Sequence, residues 1–104
     1  MEYGLQENTI LRIQSILANF PEIEEAILYG SRAKGNYKNA SDIDLTFKGE
    51  NLTLFILGKV DEQLDDLLLP YTFDLSIYQQ INSTELIDHM KRVGKLFFSK
   101  KTEN

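Results

Sequence analysis

Two aspartates separated by one residue, Asp42-Ile43-Asp44, are the first chemistry the sequence offers. They open the segment Asp42-Ile43-Asp44-Leu45-Thr46-Phe47, whose alternation of polar and apolar residues predicts a half-buried strand. Side chains on a strand point to opposite faces in turn. Asp42 and Asp44 therefore share one face, while Ile43 and Leu45 enter the core. Two carboxylates held side by side repel one another unless a cation or a proton intervenes. Magnesium suits such a pair, because it favours carboxylate and phosphate oxygens. The spacing alone does not choose a chemistry: Asp-x-Asp is commonly a solvated polar face, and sugar transferases also use it with a metal.

A second segment lies upstream, Tyr29-Gly30-Ser31-Arg32-Ala33-Lys34-Gly35. A strand that runs through Gly-Ser into a helical turn presents free backbone N–H groups, which with the helix dipole make an anion site. Gly30 would let a phosphate approach the backbone, Ser31 would add a hydroxyl donor, and Arg32 or Lys34 would neutralise charge. A Gly-Ser turn by itself usually does no more than end a strand. A third carboxylate, Asp74, stands in Phe73-Asp74-Leu75-Ser76-Ile77, with Phe73, Leu75 and Ile77 on the apolar face. If this strand lies beside the first, all three carboxylates occupy one surface; parity permits this without fixing the register.

The elements that must position these residues follow from periodicity. Ile10, Ile13, Ile16, Leu17 and Phe20 predict a helix over residues 9–20, capped by Asn8 and followed by Pro21. Residues 25–29 form a short buried strand closed by Gly30. Residues 31–34 make a helical turn ended by Gly35, and residues 36–40 a polar loop. Leu54, Leu57, Val60, Leu64, Leu67 and Leu68 define a second long helix despite Gly58, and Pro70 breaks the chain after it. Residues 71–78 alternate as a strand. Residues 82–93 form a third helix, with Asn82 and Glu85 as its capping pair and Gly94 as its stop. Residues 96–98 are a last extended piece, and residues 100–104 are expected to fray. His89 is expected on a helix surface, Tyr29 in the core and Tyr37 on an exposed loop. The fold class is α/β, a small sheet with helices packed on it.

Composition narrows the setting. The 104 residues read as one domain, with 42% hydrophobic and 26% charged residues, an ordinary globular balance. There is no cysteine, hence no disulfide framework and no thiolate metal site. The start of the sequence has no basic stretch leading into an apolar run, and a cytoplasmic location is expected. Net charge is −5, but residues 28–40 hold three cations and no acid, which leaves 8 cations against 16 acids, or −8, elsewhere. A basic loop on an acidic body suits one small polyanion better than nucleic acid.

Taken together, Gly30-Ser31-Arg32-Ala33-Lys34-Gly35 followed by Ser41-Asp42-Ile43-Asp44-Leu45 resembles the signature of the DNA polymerase β-like nucleotidyltransferase superfamily, in its minimal (MNT) branch. The motifs cover about a fifth of the chain, and the order of elements extends the likeness over most of it. The resemblance implies a small mixed β-sheet with helices packed on it, in a polymerase β-like nucleotidyltransferase fold spanning residues 1–104. It implies that Gly30, Ser31 and Arg32 contact ATP, and that Asp42, Asp44 and Asp74 are catalytic and bind two Mg2+ ions. Minimal members commonly pair with a helical HEPN-type toxin as its antitoxin, and some add AMP to a tyrosine of that toxin. The implied activity is therefore transfer of AMP from ATP to a hydroxyl of a partner protein. A catalytically idle binding module and a small-molecule nucleotidyltransferase aided by a second subunit are the alternatives. Larger superfamily members carry further segments that grip the acceptor, and 104 residues leave no room for them.

Overall fold

The computed structural model describes residues 1–100. The elements run α1 (Glu7–Leu17), β1 (Glu25–Tyr29), α2 (Gly30–Lys34), β2 (Ile43–Lys48), α3 (Leu54–Asp65), β3 (Phe73–Ile77), a 3-10 turn (Tyr78–Gln80), α4 (Thr84–Val93) and β4 (Lys95–Ser99). The strands form one mixed sheet in the order β3-β2-β1-β4. β1 is antiparallel to both β2 and β4, whereas β2 and β3 are parallel. A parallel pair cannot be joined by a tight hairpin, so α3 serves as the crossover between them.

Alternation along the strands separates a core face from a working face. Ala26, Leu28, Ile43, Leu45, Phe47 and Ile77 are buried together with Ile13 and Leu17 of α1 and Val60 and Leu64 of α3. The opposite face carries Tyr29, Asp44, Thr46, Asp74 and Ser76 at paired positions. There α4 packs against β1 and α2, and its Met90 is buried. β2 is thus the central strand that joins a sealed core to an open polar surface.

Local details depart from the sequence-based expectations at the helix ends. α1 begins at Glu7, two residues early, and Asn8 is inside the helix rather than its cap. Gln6 precedes it without a side-chain cap, and the acidic Glu7 favours the positive end of the helix dipole. α3 stops at Asp65, because Leu68 adopts positive φ (56°) and turns the chain before Pro70. In α4 the cap is Ser83, not Asn82: the Ser83 hydroxyl accepts a hydrogen bond from the Leu86 N–H at 3.1 Å. β4 is a full strand, held because Glu25 and Ala26 pair with Ser99 and Phe98. Lys100 does not fray, since its N–H donates to the Glu24 carbonyl at 3.0 Å. Residues 101–104 of the expected frayed end lie outside the described residues.

Two glycines separate packing from backbone entropy. A Cβ on Gly94 would stand 2.2 Å from the Met90 carbonyl oxygen and 2.9 Å from Cγ2 of Ile27, whereas one on Gly58 would meet nothing within 4 Å. Gly94→Ala should cost about 1–3 kcal/mol through overpacking of α4 on β1. Gly58→Ala should gain about 0.5–1 kcal/mol by favouring the helix. Urea denaturation checks both, and unchanged midpoints in either variant would contradict this account of the packing.

Candidate active site

Parallel pairing of β2 and β3 settles the register that parity left open. Asp44 stands directly opposite Asp74, as Ile43 does opposite Phe73 and Leu45 opposite Leu75. On its other side Asp44 faces Tyr29, the last residue of β1. Asp42 lies just before β2 and is exposed, close enough for its charge to act on Asp44. The three aspartates named from the sequence are therefore brought together at one end of the pair formed by central β2 and edge strand β3. Asp74 is exposed and Asp44 partly buried.

The electrostatics of this cluster fall on Asp44. Its carboxyl is pushed up from an ordinary 3.8 to about 6, first by burial, then by the charges of Asp74 and Asp42, against a smaller opposing pull from Arg32. Tyr29 is likewise raised, chiefly by burial; the Ser76 hydroxyl opposes the rise, and Asp74 and Asp44 add to it. Its phenol, expected simply as core, is buried on the side of the carboxylates. Among the described residues no group of three or more His, Asp or Glu side chains is arranged to hold a metal ion. The donor set is nevertheless all oxygen, adjacent and short of positive charge, which fits a hard divalent ion such as Mg2+.

The Gly-Ser turn closes on the same point. Gly30 has φ of 74°, and a Cβ there would fall 2.1 Å from Oδ2 of Asp44. Glycine is required twice over: by the left-handed backbone and by the approach of the carboxylate. α2 starts at Gly30, so the N–H groups of its first turn have no acceptor within the helix. The Gly30 N–H is not free, contrary to the sequence-based expectation; it donates to Nε2 of His89 at 3.1 Å. The amides of Ser31 and Arg32, with the partly buried Ser31 side chain, remain as the donors of the turn.

Arg32 requires a correction. It was expected to contact nucleotide, but its side chain is only 2% exposed. Nε and Nη2 donate to the Ser41 carbonyl at 3.1 and 2.9 Å, Nη2 to the Asn39 carbonyl at 3.2 Å, and Nη1 to the Tyr3 carbonyl at 2.9 Å. The guanidinium also lies 4.8 Å from the Tyr71 ring centroid and 5.5 Å from that of Tyr37. Its hydrogen bonds are spent on carbonyls, so it holds the loop between the two motifs. Lys34 and Lys38 are the exposed cations there. His89 is the second correction: it is partly buried against Tyr29 and Gly30, not a surface residue. The signal was present, since Leu86, His89, Met90 and Val93 fall on one helical stripe.

The family described as "Polymerase beta, Nucleotidyltransferase" matches residues 12–103, and the chain belongs to it. Among solved structures, a chain of a toxin–antitoxin complex with AMP-PNP is 24% identical, with a TM-score of 0.70 over 93% of this chain and 76% of the other. A chain from a complex of tri-AMPylated Shewanella oneidensis HEPN toxin with MNT antitoxin is 20% identical, with a TM-score of 0.68 over 92% and 74%. The fold is thus that of MNT antitoxins from HEPN toxin–antitoxin pairs. No protein of curated function matches the sequence significantly. Among the described residues, no helix is long and apolar enough to cross a membrane.

Two predictions follow from the charges. Folding raises the affinity of Asp44 for its proton, so in metal-free buffer its contribution to stability is lost as pH rises from about 4 to about 6. Asp44→Asn should then be more stable than the parent above pH 6, by about 1 kcal/mol after allowance for solvent screening. Near pH 3.5 the two should melt alike; a destabilised Asn variant at pH 7.5 would contradict this. Arg32→Ala should lower stability without any nucleotide present, by about 3 kcal/mol, because a fully buried side chain is deleted and three backbone carbonyls lose their donor. An unchanged melting temperature would instead identify Arg32 as a free ligand-binding side chain.

Proposed function

We propose that this chain transfers AMP from magnesium-bound ATP to a hydroxyl group of a partner protein, as the antitoxin of a HEPN-type toxin. The observation that carries the reading is the in-register pair Asp44–Asp74, with Asp42 beside it, facing the Gly30-Ser31 turn. Carboxylates suited to cations and amides suited to anions stand side by side, which is the chemistry of a metal-complexed triphosphate. The relatives with AMP-PNP and with an AMPylated toxin support both the donor and the acceptor class.

Asp42, Asp44 and Asp74 would hold Mg2+, and Ser31 with the α2 amides would hold phosphate oxygens. Bound divalent ions would supply charge neutralisation at the attacking and leaving oxygens. The acceptor oxygen forms a bond to the α-phosphorus as the bond to the β-phosphate bridge breaks, and pyrophosphate leaves with the electron pair. Asp74, the more exposed partner of the pair, would take the acceptor's proton. Burial of Tyr29 keeps its phenol in place beside these groups.

An acceptor must be held as firmly as the donor, because a wandering nucleophile forfeits the gain from orientation. The described elements are spent on the core and on this site. The partner therefore supplies the acceptor and the surface that presents it. The acidic body favours a basic partner and speeds the encounter at low salt. Leu54 and Phe55, each 71% exposed at the start of α3, add apolar contact area.

Incubation with α-labelled ATP, magnesium and a candidate helical toxin, followed by intact-mass measurement, tests this reading. One or more AMP additions to the toxin are expected. Asp42→Asn or Asp44→Asn should reduce them by at least a hundredfold while the complex persists. A stable complex without AMP transfer would make the chain an idle binding module. Efficient transfer to a small molecule by this chain alone would replace the protein acceptor.

A further inference from the structure

His89 belongs to no motif, yet it is the side chain that reaches the glycine peptide of the site. Its Nε2 accepts the Gly30 N–H at 3.1 Å, across 59 residues of sequence. An imidazole nitrogen that accepts must carry a lone pair, so the ring is neutral with its hydrogen on Nδ1. The ring is set edge-on to Tyr29, with centroids 6.3 Å apart and planes at 81°. Tyr29 and Gly30 are thus both touched by one ring from α4.

The consequence lies in the backbone of Gly30. Its φ of 74° is one that glycine reaches easily and leaves as easily. The same residue is where the Asp44 carboxylate approaches most closely. A flexible peptide beside an anion needs an external hold, because its N–H would otherwise be free to turn towards that carboxylate. α4 supplies the hold: it is anchored by buried Met90 and by Gly94, which sits tightly over Ile27 of β1. By accepting the first amide of α2, His89 fixes the direction of the next ones.

We propose that His89 is a positioning residue for nucleotide binding, acting through the Gly30 N–H to orient the amides of Ser31 and Arg32 towards the phosphates. This rests on the nucleotide-binding reading of the Gly30-Ser31 turn. The effect is on affinity for the donor, since His89 touches neither the carboxylates nor the reacting atoms. What the position needs is an acceptor at the place of Nε2. Glutamine offers a carbonyl oxygen at comparable reach, whereas leucine offers similar bulk and no acceptor.

The test is calorimetric titration of the folded chain with the magnesium complex of a non-hydrolysable ATP analogue. His89→Leu should bind about tenfold more weakly than the parent, the loss expected when a backbone amide is left without its partner. His89→Gln should restore affinity to within about threefold. Equal affinity of the parent and His89→Leu, or tighter binding by the variant, would overturn the proposal and leave the nucleotide site intact. Failure of the parent itself to bind would sink the nucleotide-site reading, and this proposal with it. Should His89→Leu not fold, nitrogen-15 NMR of the parent decides through the imidazole. An unprotonated Nε2 near pH 7.5, together with loss of affinity in a His89→Ala variant, supports the proposal; a protonated Nε2 overturns it.

Discussion

A buried guanidinium sets the spacing on which the rest of the site depends. Arg32 leaves the first motif from within α2 and ends on the carbonyl of Ser41, the first residue of the second motif. A loop of polar residues has no core contacts to hold it, and its closure costs entropy that something must offset. The fork of donors on arginine does so by joining three backbone carbonyls from two separate stretches of chain, with Tyr71 and Tyr37 against its surface. A lysine has the charge but not the planar fork. The charge has a second effect, since it is the one influence that moderates the rise in the Asp44 pKa.

Strand pairing supplies the other half of the geometry. Asp44 and Asp74 come from strands separated by a helix, and only parallel pairing in this register makes them neighbours. A shift of one residue would send one carboxylate into the core, where Ile43, Leu45 and Phe47 are fully buried. The apolar alternation of β2 and β3 therefore does more than stabilise the fold: it prevents the carboxylates from separating. The site is held by the hydrophobic face on the opposite side of the same strands.

Much of this was legible in the sequence because it depends on local periodicity. The two strands with polar and apolar alternation, the short apolar strand closed by Gly30, the two long helices and the Gly35 stop follow from local sequence alone. The shared face of Asp42 and Asp44 follows from the same rule. Helix starts were less legible, because Gln6, Asn8, Asn82 and Ser83 are all polar residues near a helix entrance, and tertiary packing chooses among them. Arg32 was misread for a related reason. A cation in a phosphate-binding turn has the same type whether it faces solvent or its own backbone. Its partners, the carbonyls of Tyr3, Asn39 and Ser41, leave no trace in side-chain chemistry. The contact between His89 and Gly30 spans 59 residues and required the packing of α4 on β1. Only the helical stripe hinted at its burial.

What remains after these contacts are counted is an unbalanced pair of subsites. Arg32 has given its hydrogen bonds to carbonyls, and Lys34 and Lys38 are exposed on the loop, so no side-chain cation directly pairs with the aspartates in a salt bridge among the described residues. Beside them, the first amides of α2 point out of the helix without internal acceptors. A free anion would be drawn to the amides but repelled by three carboxylates. A free cation would answer the carboxylates and leave the amides unfilled. A polyphosphate carrying its own divalent ions satisfies both at once, and neither component does so alone. On the proposed function, metal and nucleotide would therefore bind jointly, and the electrostatic penalty on Asp44 would be relieved in the same event.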